Sequence, residues 1–353
     1  MSVVEIDGSQ YSGSGTIVRQ AVAFSALTGQ PVHIVNARIR RPKPGLRRQH
    51  VRVVEALAQL VNGKAEGLFQ GSREMTFRPG TLRIGRHYYW DIGSAGSTTM
   101  LALAVLPVLA FGSAQVSVEL RGGLFQDFAP SAFHLQQVIL PLLRRMGLEA
   151  EVEMRRPGYV PRGEGILYLT VKPLGQAIQS LSLEEAGVVE RIWGIALASH
   201  LEERRVSHRM AEAAKKALVA AGHRADIEIR NDTLSLQPGA ALAAFADLGG
   251  EIRLGADRAG ALRRTAESIG KHVAKQLLED LKTGATLDRF SADQIIPFAA
   301  LADGESRFRV PATTEHLLTS AWLAKTFLGS EVRLEDHTLS ITGIGFHPSM
   351  LEK

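Results

Sequence analysis

The stretch "VPATTEHLLTSAWLAKTFLG" (residues 310–329) places a histidine where chemistry is easiest to run. Its apolar residues Leu317, Leu318, Trp322 and Phe327 fall mostly at helical spacing, and Thr313 or Thr314 can cap the start, so His316 sits in the first turn of a helix. A neutral imidazole is the best nitrogen nucleophile near neutral pH. The positive end of the helix dipole disfavours the imidazolium form and presents unpaired backbone N–H groups to an anion. The chemistry this suits is attack on phosphorus. An isolated first-turn histidine more often caps or packs, so the rest of the chain has to supply phosphate-binding groups.

It does so in one basic run: Arg38, Arg40, Arg41, Lys43, Arg47, Arg48, His50 and Arg52, with no carboxylate from Gly29 until Glu55. Within it "RPKPGLRRQH" has two prolines and a glycine, so its first half is a loop and its second half opens a helix. A loop stiffened by proline holds guanidinium groups in place before a phosphate arrives. Two glycine-rich helix starts, "GSGT" (13–16) and "GSAGST" (93–98), have the form of anion sites as well.

The elements that would position these groups repeat along the chain. "GTIVRQAVAFSALTG" and "GSTTMLALAVLPVLAFG" each begin with glycine and a hydroxyl, run through alanines on an apolar helix and end at glycine; the strands "PVHIVNAR" and "AQVSVELR" follow. The helix carrying His316 reads as a third copy, with Thr16 and Ser97 in register with His316 and "EVRLEDHTLSI" as its strand. Helices of this kind, each packed on a small sheet, predict an α/β (α+β) fold with internal repetition. The middle of the chain differs. "RMAEAAKKALVAAG" and "RTAESIGKHVAKQLLEDLKTG" are amphipathic helices, the second with a stripe of Ile269, Val273, Leu277 and Leu281, and they alternate with the strand patterns "ADIEIRN" and "EIRLGAD". The predicted organisation is a large domain of residues 1–183 plus 281–353 and a smaller α/β domain, residues 184–280, inserted before the last repeat. No chemical constellation is visible within the insert.

Composition narrows the classes. The chain of 353 residues is 45% hydrophobic and 22% charged with a formal charge of +5, ordinary for a globular protein and mildly suited to anionic ligands. No cysteine is present, which excludes disulfides, thiolate metal sites and cysteine nucleophiles. The longest apolar run, Met100 to Phe111, is too short for a membrane span and contains Pro107. The start "MSVVEIDGSQ" lacks the layout of a signal peptide, which predicts a cytoplasmic protein.

Several blocks in order along nearly the whole chain resemble the RNA 3′-terminal phosphate cyclase family. They are Asp7-Gly8 with Gln10 and Arg19; Arg38, Arg41 and Lys43-Pro44-Gly45 through Arg48-Gln49-His50; and Ile92-Gly93-Ser94-Ala95-Gly96-Ser97. Gly122-Gly123 with Ala129-Pro130 follows, then Gly158-Tyr159 with Pro161, Gly163 and Gly165, Asp293-Gln294, and His316-Leu317-Leu318-Thr319. The resemblance implies a fold of repeated βαβαββ-type units with a smaller inserted α/β domain. It implies ATP-dependent conversion of an RNA 3′-phosphate end to a 2′,3′-cyclic phosphate, with His316 taking AMP covalently before passing it to RNA. It places Gln10, Asp293 and Gln294 by the ATP, sandwiches adenine between Phe290 and Pro130, and lines the RNA phosphate site with Arg19, Arg38, Arg41, Gln49 and His50. A divalent metal, Mg or Mn, would help to neutralise the phosphates.

The chain also departs from that pattern. Where the family's first loop has a metal-holding glutamate, this chain has Ser12, and where a threonine and a later aspartate are usual it has Leu124 and Phe133. Ser12 implies a metal held mainly by ATP phosphates and water, unless another carboxylate takes over; no ligand cluster with its own spacing appears. Two other readings share parts of the pattern: a cyclase-like RNA-binding protein of ribosome assembly without catalysis, which lacks the histidine, and an enolpyruvyl transferase, which the two specific blocks fit poorly.

Overall fold

Alternating apolar residues in the short strand β1 (Val4–Asp7) and in β2 (Val32–Val35) pair in parallel, and between them the chain must cross over in a helix. That helix, α1 (Gly15–Thr28), starts where Ser14 accepts from Thr16 N and stops at Gly29, whose φ of 71° is left-handed. A second helix, α2 (Arg48–Leu60), then leads to the antiparallel strands β3 (Lys64–Glu66) and β4 (Met75–Arg78), giving a sheet in the order β1-β2-β4-β3. The computed structural model describes residues 2–347; residue 1 and residues 348–353, which the sequence reading assigned to the large domain, lie outside the described residues.

The same βαβαββ path is repeated. β5 (His87–Asp91), α3 (Thr98–Ala110) and β6 (Val116–Gly122) come first. The second helix of this unit is broken into α4 (Ala132–His134), a π-helical turn (Leu135–Ile139) and α5 (Leu140–Arg145). β7 (Ala150–Arg156) and β8 (Gly165–Val171) complete the order β5-β6-β8-β7. A third sheet has the order β9-β14-β16-β15, with β9 (Ser182–Leu183) parallel to β14 (Glu305–Arg309) and the hairpin β15 (Glu331–Glu335) and β16 (Thr338–Thr342) antiparallel.

This topology corrects the register read from sequence. The helix of His316, α10 (Glu315–Leu328), follows the second strand of its unit and precedes the antiparallel pair. Its counterparts are therefore α2 and the broken α4–α5, not α1 and α3. A capped helix with small residues and a terminal glycine occurs in either place, so the pattern reported burial rather than position in the unit. Ser97 is also two steps out, because it is the N-cap of α3 itself, and Thr99 holds the position of Thr16. "EVRLEDHTLSI" is a hairpin rather than one strand: Asp336 and His337, at φ of 45° and 65°, form its two-residue turn.

Between β9 and β14 stands a fourth sheet, in the order β11-β10-β12-β13. Its strands are β10 (Val189–Ser199), β11 (Ala225–Asp232), β12 (Gly239–Leu248) and β13 (Ile252–Ala259), with α6 (Val206–Ala220) and α7 (Ala266–Lys282) packed on it and on each other. Two short helices, α8 (Ser291–Gln294) and α9 (Ile296–Leu301), lead back to β14. α3 is buried along its whole length, as a helix apolar on every side must be, and α1 lies between it and α10, with Phe24 and Phe327 5.9 Å apart. No helix among the described residues is long and apolar enough to cross a membrane.

Candidate active site

Thr314 caps α10 by accepting from Leu317 N at 3.1 Å, which puts His316 at the second helical position with its ring at the mouth of a cleft of about 940 Å³. The start of α1 faces it. Thr16, at the same position in that helix, brings Oγ1 to 3.1 Å from His316 Nδ1, and Arg19, one turn on, donates from Nη2 to the same Oγ1 at 3.2 Å. Burial, then Arg19 and Arg41, lower the His316 pKa below the usual histidine value, against a smaller opposing effect of Glu315. The imidazole is thus neutral at pH 7. Arg19 is itself buried, which brings its pKa down to about 10 although Asp293 opposes the shift. Burial raises Asp293 to about 7, outweighing a 2.6 Å bond from Gln294 Nε2 and the charge of Arg19.

Pro130 and Phe290 both line the cleft. Both are held by buried groups. Thr99 Oγ1 donates to Pro130 O at 2.7 Å, and Ser131 N donates to Asp257 Oδ2 at 2.8 Å. Asp288 Oδ1 accepts from Phe290 N and Ser291 N, each at 2.9 Å, while its Oδ2 accepts from Gly255 N and lies 2.9 Å from His134 Nε2. The His134 ring meets Phe290 edge-on, with centroids 5.6 Å apart. One carboxylate thereby joins α4, β13 and the entry to α8.

A family model described as RNA 3′-terminal phosphate cyclase matches residues 10–334. The chain belongs to the RNA 3′-terminal phosphate cyclase family. Relatives bearing that name include proteins of Pyrococcus furiosus (39% identical, covering 93% of this chain and 94% of the relative) and Methanopyrus kandleri (39%, covering 95% and 96%). That of Hyperthermus butylicus is 38% identical and covers 98% of this chain and all of its own. Among solved structures the enolpyruvyl transferase NikO from Streptomyces tendae is similar at a TM-score of 0.42 and 11% identity, over 99% of this chain and 50% of that one, too low a likeness to bear on function.

In this cyclase-family chain, six residues singled out from sequence meet at the cleft: Arg19, Pro130, Phe290, Asp293, Gln294 and His316. The other five do not line it. Gln10 is exposed in the turn after β1. Arg38 is tied into its own loop, donating to Lys43 O at 2.9 Å and Gly45 O at 2.6 Å, and burial with Arg41 and Arg47 lowers it to about 10. Arg41 is exposed and acts on His316 through its charge. Gln49 and His50 run beneath the glycine-rich helix starts. Gln49 Oε1 accepts from Ser97 N at 3.0 Å, and a Cβ on Gly15 would collide with the His50 ring. His50 is fully buried; desolvation, then Arg19, Arg38 and Arg47, hold its pKa well below the ordinary value, and its Nδ1 accepts from Arg47 N.

The two glycine-rich starts therefore differ. At α3 the donors are consumed within the protein: Ser97 N by Gln49, Thr98 N by Gly123 O, and Met100 N by Ser97 Oγ. Both starts reach the cleft, α1 through Thr16 and α3 through Met100, but only α1 brings a hydroxyl there. Sequence reasoning missed His134, Asp257 and Asp288, and also Asp127 together with Arg258 and His272, the last two bringing residues 184–280 to the cleft. These come from distant segments and share no spacing signal.

The metal that the family resemblance implied finds no donor set. No cluster of three or more His, Asp or Glu able to hold an ion occurs among the described residues. Ser12 is buried and engaged: its Oγ lies 3.0 Å from Ser14 Oγ and 2.8 Å from Thr319 Oγ1, and its N donates to Thr319 Oγ1 at 3.2 Å. The hydroxyl at this position ties the first loop to α10. The side chains here do not fit a protein-held divalent cation.

Proposed function

We propose that the chain converts RNA 3′-phosphate ends to 2′,3′-cyclic phosphates at the expense of ATP, through a histidine–AMP intermediate on His316. The observation that carries this is the tether on Nδ1. Thr16 Oγ1 has two lone pairs, so it can accept both from Arg19 and from an Nδ1–H of His316; with the proton on Nδ1, the tautomer proposed here, the Nε2 lone pair is free to attack. Nε2 attacks the α-phosphorus of ATP, the bond to the β-phosphate oxygen breaks, and pyrophosphate leaves. An oxygen of the RNA 3′-phosphate then attacks the same phosphorus, the P–N bond breaks, and His316 returns neutral, leaving RNA capped by a phosphoanhydride to AMP. The 2′-hydroxyl of the terminal ribose attacks the RNA phosphorus, loses its proton to water, and expels AMP as the ring closes. The first two steps put a good leaving group, AMP, on an RNA phosphate that has none, and the third step expels it.

The residues divide the work. Arg19 supplies a buried cation beside the histidine, where a low dielectric strengthens its pull on phosphate oxygens. Pro130 and Phe290 present flat apolar faces for adenine, and Asp293 with Gln294 offers hydrogen bonds at the floor. Arg41, exposed and without a partner among the described residues, receives the RNA phosphate. The need for ATP suits the cytoplasmic location read from the sequence.

A 3′-phosphorylated oligonucleotide ending in a 2′-deoxyribose separates the steps. With ATP it should accumulate the AMP-capped species and never cyclise, while the ribose form yields cyclic ends with one AMP released per end. Failure of the deoxy substrate to accept AMP, or cyclisation without ATP, would contradict the sequence of steps.

A further inference from the structure

Asp127 lines the cleft of His316, and its ion-pair partner Arg264 lines a second groove. Asp127 receives Arg264 through two bonds of 2.7 Å and lies 3.3 Å from Arg258 Nε. Arg258 faces the cleft, whereas Arg264 lines the second groove, of about 1630 Å³. Its walls are the Tyr159–Pro161 loop, the start of α6 and the β13–α7 connection.

The lining of this groove contains four arginines, Arg204, Arg209, Arg263 and Arg264, and no carboxylate. Two are neutralised from outside, Arg209 by Glu267 at 2.7 and 3.0 Å and Arg264 by Asp127. Arg204 and Arg263 are exposed and make no ion pair among the described residues. Glu202 and Glu203 precede Arg204 in its loop but do not line the groove, and Glu202 accepts from Asn231. The same lining carries exposed apolar side chains, Leu262 at 99% and Val160 at 60% exposure.

A single nucleic-acid strand asks for this combination, since its phosphates need cations and its base faces need apolar contact. An RNA whose 3′-phosphate sits by His316 must also leave the cleft somewhere. We propose that the strand leading to the 3′-phosphate crosses the Asp127–Arg264 pair and lies in this groove. This rests on the cyclase reading for the identity of the ligand. The groove then sets how strongly longer RNAs are preferred over short ones, a property separate from the chemistry at His316.

The test is the double variant Arg204→Glu with Arg263→Glu, compared with the unaltered protein on a dinucleotide 3′-phosphate and on an oligonucleotide of about ten residues. Three quantities are read: AMP labelling by ATP alone, and KM for each RNA. The expected result is unchanged labelling, unchanged KM for the dinucleotide, and a KM for the longer RNA raised roughly tenfold with a weaker dependence on salt. Equal effects on both RNAs, or none on either, would overturn the groove as the path of the strand. Loss of labelling in the unaltered protein would instead overturn the cyclase reading, so the two failures are distinguishable.

Discussion

His134 and His316 occupy nearly the same place in two copies of one unit, and their surroundings make opposite use of it. Each lies in the first turn of the second helix, His134 third after its cap Ser131 and His316 second after Thr314. His134 is wholly buried; burial opposes its charge, but Asp288, with Asp257 and Asp280 behind it, raises its pKa above the ordinary value. Burial works against Asp288 too, yet His134 and backbone N–H groups lower it, so the two form an ion pair. His316 meets a hydroxyl and two arginines instead of a carboxylate, stays neutral and faces the cleft. A helix start thus decides little alone. Three neighbouring residues turn it into a structural clasp in one unit and leave a neutral imidazole at the cleft in the other.

The largest effect expected from this contrast is at His316. His316→Ala should abolish AMP labelling while leaving the unfolding free energy within about 1 kcal/mol of the unaltered protein, because the ring is only partly buried. His134→Ala should do the reverse. It leaves Asp288 charged and unpaired in the interior, at a cost of about 3–5 kcal/mol in urea unfolding at pH 7. Equal effects of both substitutions on stability would break the division of roles.

The pair also sets a pH window. The charged His134 contributes stability that is complete below the unfolded histidine pKa and is lost as pH rises through its raised folded value. Asp288 contributes stability that is present above the unfolded carboxyl value and is lost as pH falls through its lowered one. Stability should therefore decline on both sides, and the alkaline decline should vanish in His134→Ala. A smaller effect comes from Thr16→Val, which removes the tether on Nδ1 and should slow labelling by about tenfold, the worth of one hydrogen bond. Smallest is Arg41→Ala. Without that charge the His316 pKa rises, so the acid side of the labelling profile should move to slightly higher pH, while use of 3′-phosphorylated RNA falls more. No shift in the profile would remove Arg41 from the neighbourhood of His316.

The place of His316 could be read from sequence because its evidence is local: a cap, a helix start and a histidine within a few residues. The repeat was legible for the same reason, since capped apolar helices recur with their glycine stops. What could not be read is which helix of the unit α10 represents, because that depends on strand pairing between segments far apart. The role of the glycines was also hidden. Gly15 looked like a phosphate cradle, whereas it makes room for His50, which arrives from another helix. The clasp left no trace at all, since His134, Gly255, Asp257 and Asp288 are ordinary residues until three elements bring them together.

The central claim is that the free nitrogen of His316 takes AMP, and locating the adduct tests it most directly. The protein is incubated with ATP labelled at the α-phosphate, digested under alkaline conditions that preserve a phosphoramidate, and the labelled peptide is fragmented. The expected result is an acid-labile AMP on the peptide containing His316, bonded to Nε2. An acid-stable adduct on a lysine, an adduct on His50 or His134, or no adduct at all would contradict the account.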